Sequence, residues 1–205
     1  MDEQAEIVVF ERSGFVSYAN CGLPYYIGEV IDDPEDLTLQ TPESFFSRFR
    51  VLMKVHHEVT AIHPDQKSVS VKDLETGATF EESYDKLLLS PGAKPVIPDL
   101  PGIDSSKLFT LRTVEDTFRI KEFVDRNKPK SAVIVGGGFI GLEMAENLRH
   151  LGMEVTIVQR PKQLMNPFDS DMASFIHSEV RKHGVKLMLG HTVEGFAEQD
   201  SGVNV

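Results

Sequence analysis

The feature that most constrains the fold is a predicted strand, glycine-rich turn, helix and second strand in immediate succession, SAVIVGGGFIGLEMAENLRHLGMEVTIVQR. Val135 is followed by Gly136, Gly138 and Gly141 in G-x-G-x-x-G spacing. In such a unit the first glycine forms the tight turn, the second lets a pyrophosphate approach backbone N–H groups, and the third lets helix and strand pack closely. The stretch therefore predicts a dinucleotide site on a parallel α/β unit.

The second strand of this unit ends at Gln159. An Asp or Glu usually stands there, about 20 residues after the turn, and accepts hydrogen bonds from the adenosine ribose. Glutamine carries no charge that would repel a 2′-phosphate, and Arg160 and Lys162 lie directly after it. The sequence favours a site that accepts NADPH as well as NADH; the alternative is that both cations are simply solvated.

The chain opens with a similar predicted strand, EIVVFER, which we interpret as a buried parallel strand that ends at Glu11. Glu11 occupies the place in this strand that Gln159 occupies in the later one. By analogy, Glu11 predicts a carboxylate that accepts hydrogen bonds from the ribose of another dinucleotide. The alternative is an ordinary exposed acid at a strand end.

Between these two strands the pattern changes. Thr41-Pro42-Glu43 predicts the start of a helix that continues through about Phe49. Three antiparallel strands are predicted next, with turns at His63-Pro64-Asp65 and Thr76-Gly77, and they lead to one buried strand from Lys86 to Leu89. The proline-rich SPGAKPVIPDLPGID then predicts an extended crossing.

After the glycine-rich unit, DSDMASFIHSEVRKHG predicts an amphipathic helix that ends at Gly184, and VKLML predicts a third strand. Gly152 stands where the C-terminal residue of the preceding helix is expected. The final residues, SGVNV, predict the beginning of a further hairpin.

Charge and composition exclude several classes of partner. The chain has 32 acidic and 21 basic residues, which gives a formal charge of −11. It therefore has no basic field that would attract nucleic acid or anionic lipid. No apolar run approaches the roughly 18 residues needed to span a bilayer, and the first residues are acidic where a signal peptide would be basic. We expect a cytoplasmic protein with no membrane partner. The seven histidines lack metal-ligand spacing, so no metal site is predicted.

Cys21 is the single cysteine of the chain and cannot form an internal disulfide, so it is either an inert small hydrophobe or a reactive thiol. It precedes GLPYYIG, in which Pro24 suits the first turn of a helix whose N–H groups and dipole would stabilise a thiolate. The other sulfur must then come from the substrate, or the oxidised form is a sulfenic acid. Tyr25 and Tyr26 are either substrate contacts or packing residues.

Four motifs in order, FVSYANCGLPYYIGEVI, LLLSPGAKP, VIVGGGFIGLEMAENL and DSDMA, resemble the single-cysteine branch of the pyridine nucleotide-disulfide oxidoreductases, which includes the coenzyme A disulfide reductases and the NADH-dependent persulfide reductases. The resemblance runs along essentially the whole chain. It implies an FAD domain, an NAD(P) domain and a C-terminal dimerisation domain, with electrons passing from nicotinamide to flavin to cysteine. We expect this chain to be the central piece of a homodimeric parent.

The resemblance also implies roles for individual residues. Cys21 would be the redox nucleophile that forms a mixed disulfide with coenzyme A, with Ser17 and Asn20 at the thiol end of that substrate and Arg48 near its phosphates. The implied cofactor residues are Glu11, Arg12, Val59, Ser90, Pro91 and Gly92 for FAD, and Gly136, Gly137, Gly138, Phe139, Ile140, Gly141, Glu143, Gln159 and Arg160 for NAD(P)H.

Together, the patterns and the resemblance predict an α/β fold with two Rossmann-like three-layer domains, both incomplete, and a three-stranded antiparallel β-meander. We expect residues 1–110 to form an FAD-binding domain without its first βα unit, and residues 111–205 to form an NAD(P)-binding domain truncated at its C-terminus. The implied activity is reduction of coenzyme A disulfide or persulfide. The alternatives are an NADH oxidase or peroxidase with a cysteine sulfenic acid, and an inactive nucleotide-binding remnant.

Overall fold

The computed structural model describes residues 4–200 and 202–205. The chain divides into two compact units: unit 1 comprises Met1–Ala19 and Thr38–Ala93, and unit 2 comprises Asn20–Leu37 and Lys94–Val205. The predicted domain boundary at residue 110 separates two nucleotide-binding domains. The compact units divide the chain by a different criterion and at other points, so this boundary stays a prediction.

The described residues contain twelve strands and five α-helices. The strands are β1 Ile7–Phe10, β2 Ser17–Tyr18, β3 Thr38–Gln40, β4 Val51–Lys54, β5 His57–His63, β6 Ser68–Asp73, β7 Thr79–Ser83, β8 Ser131–Val135, β9 Glu154–Gln159, β10 Lys186–Leu189, β11 Ala197–Gln199 and β12 Gly202–Asn204. The helices are α1 Leu23–Ile27, α2 Pro42–Phe49, α3 Val114–Asn127, α4 Phe139–His150 and α5 Ser170–Lys182. Two 3₁₀ turns cover Asn20–Gly22 and Pro34–Leu37.

Unit 1 contains three small sheets. Strand β1 pairs in parallel with β4, β2 pairs antiparallel with β3, and β5, β6 and β7 form an antiparallel meander in that order. The predicted three-stranded meander is therefore confirmed. Val71 of β6 is fully buried. The Lys54 ammonium lies 5.3 Å from the ring centre of Phe10 and 5.2 Å from that of Phe80, so a cation–π cluster joins β4 to β1 and β7.

Two sequence predictions about unit 1 are wrong. Lys86–Leu89 forms no strand, and Leu88 and Leu89 are 88% and 63% exposed. Strand β1 forms and is parallel as predicted, but it is not buried, because Ile7 and Val8 are 49% and 37% exposed. A strand needs hydrogen-bonded neighbours to exist and covering elements to be buried. Among the described residues β1 pairs with β4 alone, and no strand pairs with Lys86–Leu89.

Unit 2 is built on a parallel sheet with the strand order β10-β9-β8. Helix α4 connects β8 to β9, and α5 lies between β9 and β10 in the chain, which is the predicted βαβαβ succession. Strand β9 is central, and Ile157 on it is fully buried. The buried core cluster consists of Ile27, Ile120, Met144, Ala145, Leu148, Met153, Val155, Ile157, Leu164 and Val185. Unit 2 thus has the Rossmann-like arrangement that the glycine-rich stretch predicts.

The predicted helix ends agree with the structure. Thr41 caps α2 by accepting a hydrogen bond from the Ser44 N–H, and Gly152 and Gly184 follow α4 and α5 with φ of +83° and +77°. Helix α3 was not predicted, although its start carries a recognisable signal. Thr113 accepts a hydrogen bond from the Asp116 N–H and the Asp116 side chain accepts one from the Thr113 N–H, which is a capping box.

Helix α1 ends at a close approach to α4 within unit 2. A Cβ atom built on Gly28 would lie 2.1 Å from Oδ1 of Asn147. The Asn147 side chain is 1% exposed, and its Nδ2 donates to the backbone oxygen of Glu143 at 2.8 Å. Only a residue without a side chain fits at position 28 while this buried amide stays in place.

No helix in residues 4–200 or 202–205 is both long enough and apolar enough to span a bilayer.

Candidate functional site

The three glycines of the G-x-G-x-x-G turn have different surroundings. Gly136 has a φ of +117°, a backbone conformation that residues other than glycine rarely adopt. A Cβ on Gly141 would lie 2.1 Å from the Gly136 backbone oxygen, so the helix and the turn can approach each other only with glycine there. A Cβ on Gly138 would meet no atom within 4 Å. The space over Gly138 is the room that a bound pyrophosphate needs.

The backbone N–H groups of this turn fall into two sets. The Gly136 N–H donates to the Val158 oxygen and the Gly137 N–H donates to Oε1 of Gln159, both at 2.9 Å. No hydrogen bond within the described chain uses the N–H groups of the next three residues, Gly138, Phe139 and Ile140. Gly138 caps α4 without a side-chain hydrogen bond, and Phe139 and Ile140 are exposed. The turn therefore fits the phosphates of a dinucleotide at the start of α4.

One turn into α4, two carboxylates lie beside Tyr25 of α1. The Tyr25 hydroxyl donates to Oε2 of Glu146 at 3.4 Å. The Glu146 carboxylate, partial burial and Glu143 raise the pKa of Tyr25, with a smaller contribution from Cys21. Burial and the neighbouring Glu146 raise the pKa of Glu143. The single O–H of Tyr25 is thus donated to Glu146, and the tyrosine lies near Cys21.

Cys21 is exposed and lies in the 3₁₀ turn Asn20–Gly22, directly before α1. The predicted helix after it is present, with Pro24 in its first turn. The side-chain oxygen of Asn20 accepts a hydrogen bond from Nη1 of Arg112 at 3.1 Å. The thiol is open to solvent, so the alternative of a buried cysteine is wrong, whereas the reactivity of Cys21 stays a prediction. Thiolate stabilisation by the helix stays a prediction.

Tyr26, the neighbour of Tyr25, packs against Phe118 with ring centres 5.7 Å apart in an edge-to-face arrangement. Of the two alternatives for this tyrosine, the structure supports packing.

In unit 1, Glu11 follows the carboxyl end of β1. Its Oε1 accepts a hydrogen bond from the Ser13 N–H at 2.7 Å, while Oε2 has no partner within the described residues. Arg12 forms an exposed ion pair with Glu58, with 3.6 Å between Nη1 and Oε1. A carboxylate at a strand end with one unpaired oxygen can accept a hydrogen bond from the ribose of FAD.

The other predicted FAD residues are exposed. Val59 lies in β5 beside an irregularity in the pairing with β6. Ser90, Pro91 and Gly92 have no regular secondary structure, and Gly92 has a φ of +69°. Their roles stay predictions.

The predicted coenzyme A residues lie in both units. Ser17 is half-buried in β2, and Arg48 is exposed in the last turn of α2, in unit 1. The Arg48 guanidinium lies 5.1 Å from the Phe49 ring centre and forms no ion pair with any described carboxylate. Asn20 and Cys21 belong to unit 2. Arg48 is therefore available to an anionic ligand.

Several residues that the sequence patterns do not single out hold this site in place. Arg112 orients Asn20, Glu146 orients Tyr25, and His177 accepts a hydrogen bond from the Leu164 N–H at 2.9 Å. Arg112 precedes the capping box of α3, which is the one sequence signal that could have drawn attention to this region. The contact of His177 is long-range and has no sequence signature.

Within residues 4–200 and 202–205, no three His, Cys, Asp or Glu side chains are grouped so that they could hold a metal ion.

Comparison with protein families gives a match over residues 2–205 to the family described as pyridine nucleotide-disulphide oxidoreductase. A curated relative, coenzyme A disulfide reductase of Staphylococcus aureus strain MRSA252, is 38% identical over 196 residues. The match covers 96% of this chain and 44% of the relative, so the chain spans less than half the length of the relative.

Solved structures give a similar result. Reduced Bacillus anthracis CoADR-RHD has a TM-score of 0.94 and 44% identity, covering 99% of this chain and 38% of that one. The NAD-dependent persulfide reductase of A. fulgidus has a TM-score of 0.91 and 30% identity, covering 98% and 38%. The water-forming NADH oxidase of Lactobacillus brevis, bound to NADH, has a TM-score of 0.88 and 35% identity, covering 98% and 44%.

Proposed function

Because the chain belongs to the pyridine nucleotide-disulphide oxidoreductase family, we propose that it carries the redox cysteine of a reductase of coenzyme A disulfide or coenzyme A persulfide. Enzymes of this family use FAD and NAD(P)H. The observation that carries the proposal is the exposed thiol of Cys21, the only cysteine in the chain, directly before α1 and beside the Tyr25–Glu146 pair.

The proposed chemistry at Cys21 is thiol–disulfide exchange. The Cys21 thiolate attacks one sulfur of coenzyme A disulfide, which forms a mixed disulfide with Cys21 and releases one coenzyme A thiolate. Two electrons from NAD(P)H then cleave the mixed disulfide, and a proton goes to the second coenzyme A thiolate. FAD, when bound, supplies the transfer of this electron pair from nicotinamide to the disulfide.

Residues of this chain have assigned roles in the proposal. Asn20, held by Arg112, lies next to Cys21 and contacts the thiol end of the substrate. For Ser17 and Arg48 the proposal keeps the roles that the resemblance implies, at the thiol end and near the phosphates of coenzyme A. Tyr25, whose hydroxyl donates to Glu146, is a substrate contact beside Cys21 in this proposal.

The cofactors are held by two separate sets of residues. The free N–H groups of the Gly136–Gly141 turn hold the NAD(P)H pyrophosphate, and Glu143 lies near the nicotinamide. Glu11 accepts from the FAD ribose, and Arg12, Val59 and the Ser90–Gly92 turn line the rest of that site.

The first experiment asks whether this chain binds flavin. The purified chain is mixed with FAD, freed of excess by gel filtration, and its visible absorbance is recorded before and after anaerobic addition of NADPH. We expect a retained flavin band that bleaches on reduction. A colourless chain that still binds nucleotide would overturn the proposal for this polypeptide and support the inactive remnant instead.

The second experiment tests the thiol and the substrate class. NADPH oxidation is followed with coenzyme A disulfide, coenzyme A persulfide or hydrogen peroxide, for the wild type and Cys21→Ser. We expect turnover with the coenzyme A substrates and none with Cys21→Ser, because no other thiol can form the mixed disulfide. Turnover with peroxide or oxygen alone would favour the NADH oxidase alternative, which the similarity to the Lactobacillus brevis enzyme keeps open.

Two further expectations belong to this proposal and stay predictions. The parent protein is a homodimer, as the resemblance implies, and it resides in the cytoplasm, as the acidic composition and the single cysteine suggest. Analytical ultracentrifugation of the parent protein would test whether it is a homodimer. Fractionation of cells would test whether it resides in the cytoplasm.

A further inference from the structure

The Cys21 segment, residues 20–29, comprises a 3₁₀ turn, α1 and the two residues that follow α1. It is contacted at both ends by α3 and the residues just before α3. Beside the thiol, Nη1 of Arg112 donates to Oδ1 of Asn20 at 3.1 Å. At the far end, Nζ of Lys121 donates to Oε1 of Glu29 at 2.9 Å. Both contacts lie within unit 2.

Each contact starts from a part of α3 that is itself fixed. The backbone N–H of Arg112 donates to Oδ2 of Asp116 at 3.0 Å, which ties Arg112 to the capping box. Helix α3 is anchored through its buried residues Val114, Thr117 and Ile120. The two contacts therefore connect the Cys21 segment to a helix that is held in place by its own packing.

Glu29 has a backbone conformation that strains a glutamate. Its φ is +61°, in the left-handed region, where glycine would be unstrained. Strained residues persist where the surrounding structure holds them, and they cluster at functional sites. The side chain that glycine would lack is the one that reaches Lys121. The strain at position 29 is therefore retained together with the contact.

The environment of Lys121 makes this contact stronger than a surface ion pair, which water and salt screen. The Glu29 side chain is 56% exposed, but that of Lys121 is only 16% exposed. Its Nζ also donates to Oδ1 of Asp125 at 2.5 Å. Because the ammonium is largely shielded and two carboxylates fix its position, it can hold the far end of the Cys21 segment.

We propose that Arg112 and Lys121 are positioning residues that clamp the Cys21 segment at its two ends, so that the thiol is presented to a disulfide in one arrangement. This rests on the proposed function, in which Cys21 attacks coenzyme A disulfide. Arg112 acts through Asn20, and Lys121 acts through Glu29 and α1. A large disulfide that must be oriented depends on the clamp, whereas a small reagent needs only an exposed thiol.

The test follows one round of thiol–disulfide exchange in the full chain, without flavin or nucleotide. The Cys21 thiolate attacks coenzyme A disulfide, whose S–S bond breaks; a new disulfide joins Cys21 to coenzyme A, and one coenzyme A thiolate leaves. Mass spectrometry of quenched samples gives the second-order rate constant. The same measurement with methyl methanethiosulfonate, a small thiol reagent, reports the reactivity of the exposed thiol alone.

Arg112→Met and Lys121→Met each keep an apolar stem and lose the cation. We expect each variant to react with coenzyme A disulfide roughly 3–10-fold more slowly, the effect of one hydrogen bond, and to react with the small reagent at the wild-type rate. Since the two ends belong to one clamp, the double variant should be slowed by less than the product of the two factors. An unchanged rate in either single variant, or factors that multiply, would overturn the clamp.

Three further variants separate positioning from stability. Lys121→Arg keeps the charge and should restore most of the wild-type rate. Asp125→Asn is the matched control, because it removes the other carboxylate beside Lys121 and should leave the rate unchanged. Glu29→Gly removes the contact but relieves the strained backbone, so it should slow the reaction as Lys121→Met does without lowering the urea midpoint. A wild-type rate in Glu29→Gly would overturn the role of Lys121.

Amide hydrogen exchange tests the clamp independently of the substrate. The N–H groups of Gly28 and Val30 donate to the backbone oxygens of Pro24 and Tyr25 at 3.0 and 2.9 Å. Both should exchange faster in Lys121→Met than in the wild type. Unchanged exchange would overturn the clamp. A wild type that does not react with coenzyme A disulfide, together with faster exchange in the variant, would overturn the proposed function and leave the clamp standing.

Discussion

Gly138 and Gly141 belong to the same turn, but a methyl group added to each meets different surroundings. At Gly141 it would collide with a backbone oxygen, which cannot move without distorting the turn, whereas at Gly138 it would enter open space. One glycine is therefore required by packing and the other by the proposed ligand.

Gly141→Ala is expected to lower the free energy of unfolding by roughly 1–3 kcal/mol, the cost of overpacking, when measured by urea denaturation. Gly138→Ala is the matched variant. It should leave the free energy of unfolding nearly unchanged and weaken NADPH binding, because its methyl group fills the room for the pyrophosphate. Equal destabilisation by the two substitutions would contradict this assignment.

Glu146 is the largest cause of the raised pKa of Tyr25. We expect Glu146→Gln to move that pKa down towards its ordinary value of 10.0, because the substitution removes the negative charge beside the phenol. Ultraviolet difference titration measures the change, and Tyr25→Phe identifies which of the four tyrosines is observed. An identical titration curve for wild type and Glu146→Gln would show that the two side chains do not interact in solution.

At the scale of elements, the sequence predicted those parts whose formation depends on local signals. The turn, α4 and the two strands around it follow from glycine spacing and apolar runs, and α2 follows from Thr41 and Pro42. The sequence could not predict that Lys86–Leu89 lacks a strand, since an apolar run becomes a strand only beside a neighbour. Likewise, the contacts of Gln159 with Gly137 and of His177 with Leu164 depend on which segments meet in space.

Helix α3 begins with the Thr113–Asp116 capping box, and Ile120 on it joins the core of unit 2. Thr113→Ala should cost about 1 kcal/mol of stability, because the Asp116 N–H loses its acceptor. Thr113→Ser keeps a hydroxyl and should recover most of the loss. Thermal denaturation followed by circular dichroism compares the three proteins; a serine variant as unstable as the alanine variant would argue against the cap.

Helix α5 contributes a pH dependence through His177. Burial, together with the nearby Arg181, lowers the pKa of His177 from its ordinary value of 6.5. The folded state thus binds fewer protons than the unfolded state, so the stability from neutral His177 is present above about pH 6.5 and is lost as pH falls through the folded pKa. Protonation would also remove the acceptor for the Leu164 N–H.

We expect the urea midpoint of the wild type to fall between pH 7.5 and about pH 5.5 by more than that of His177→Gln. The comparison isolates His177, because the carboxylates that also titrate are the same in both proteins. Parallel curves for the two proteins over this range would contradict the assignment.

At the scale of the whole molecule, each compact unit has its own buried residues, with Val71 fully buried in unit 1 and Ile157 fully buried in unit 2. We expect two calorimetric transitions, because separate cores can unfold separately. Val71→Ala should destabilise unit 1 by about 2 kcal/mol and lower the midpoint of one transition. Ile157→Ala should destabilise unit 2 by roughly 2–5 kcal/mol and lower the midpoint of the other transition. A single transition that moves with both variants would show that the chain unfolds as one unit.

The close approach of Gly28 to Asn147 has a consequence for how such sequences can diverge over time. A side chain at position 28 would occupy the space of the buried Asn147 amide, so the two positions cannot change independently. Descendants of this chain that gain alanine or serine at position 28 should carry a smaller residue at position 147. The order of the changes is also constrained, because the substitution at 147 must come first for the intermediate to keep α1 packed on α4.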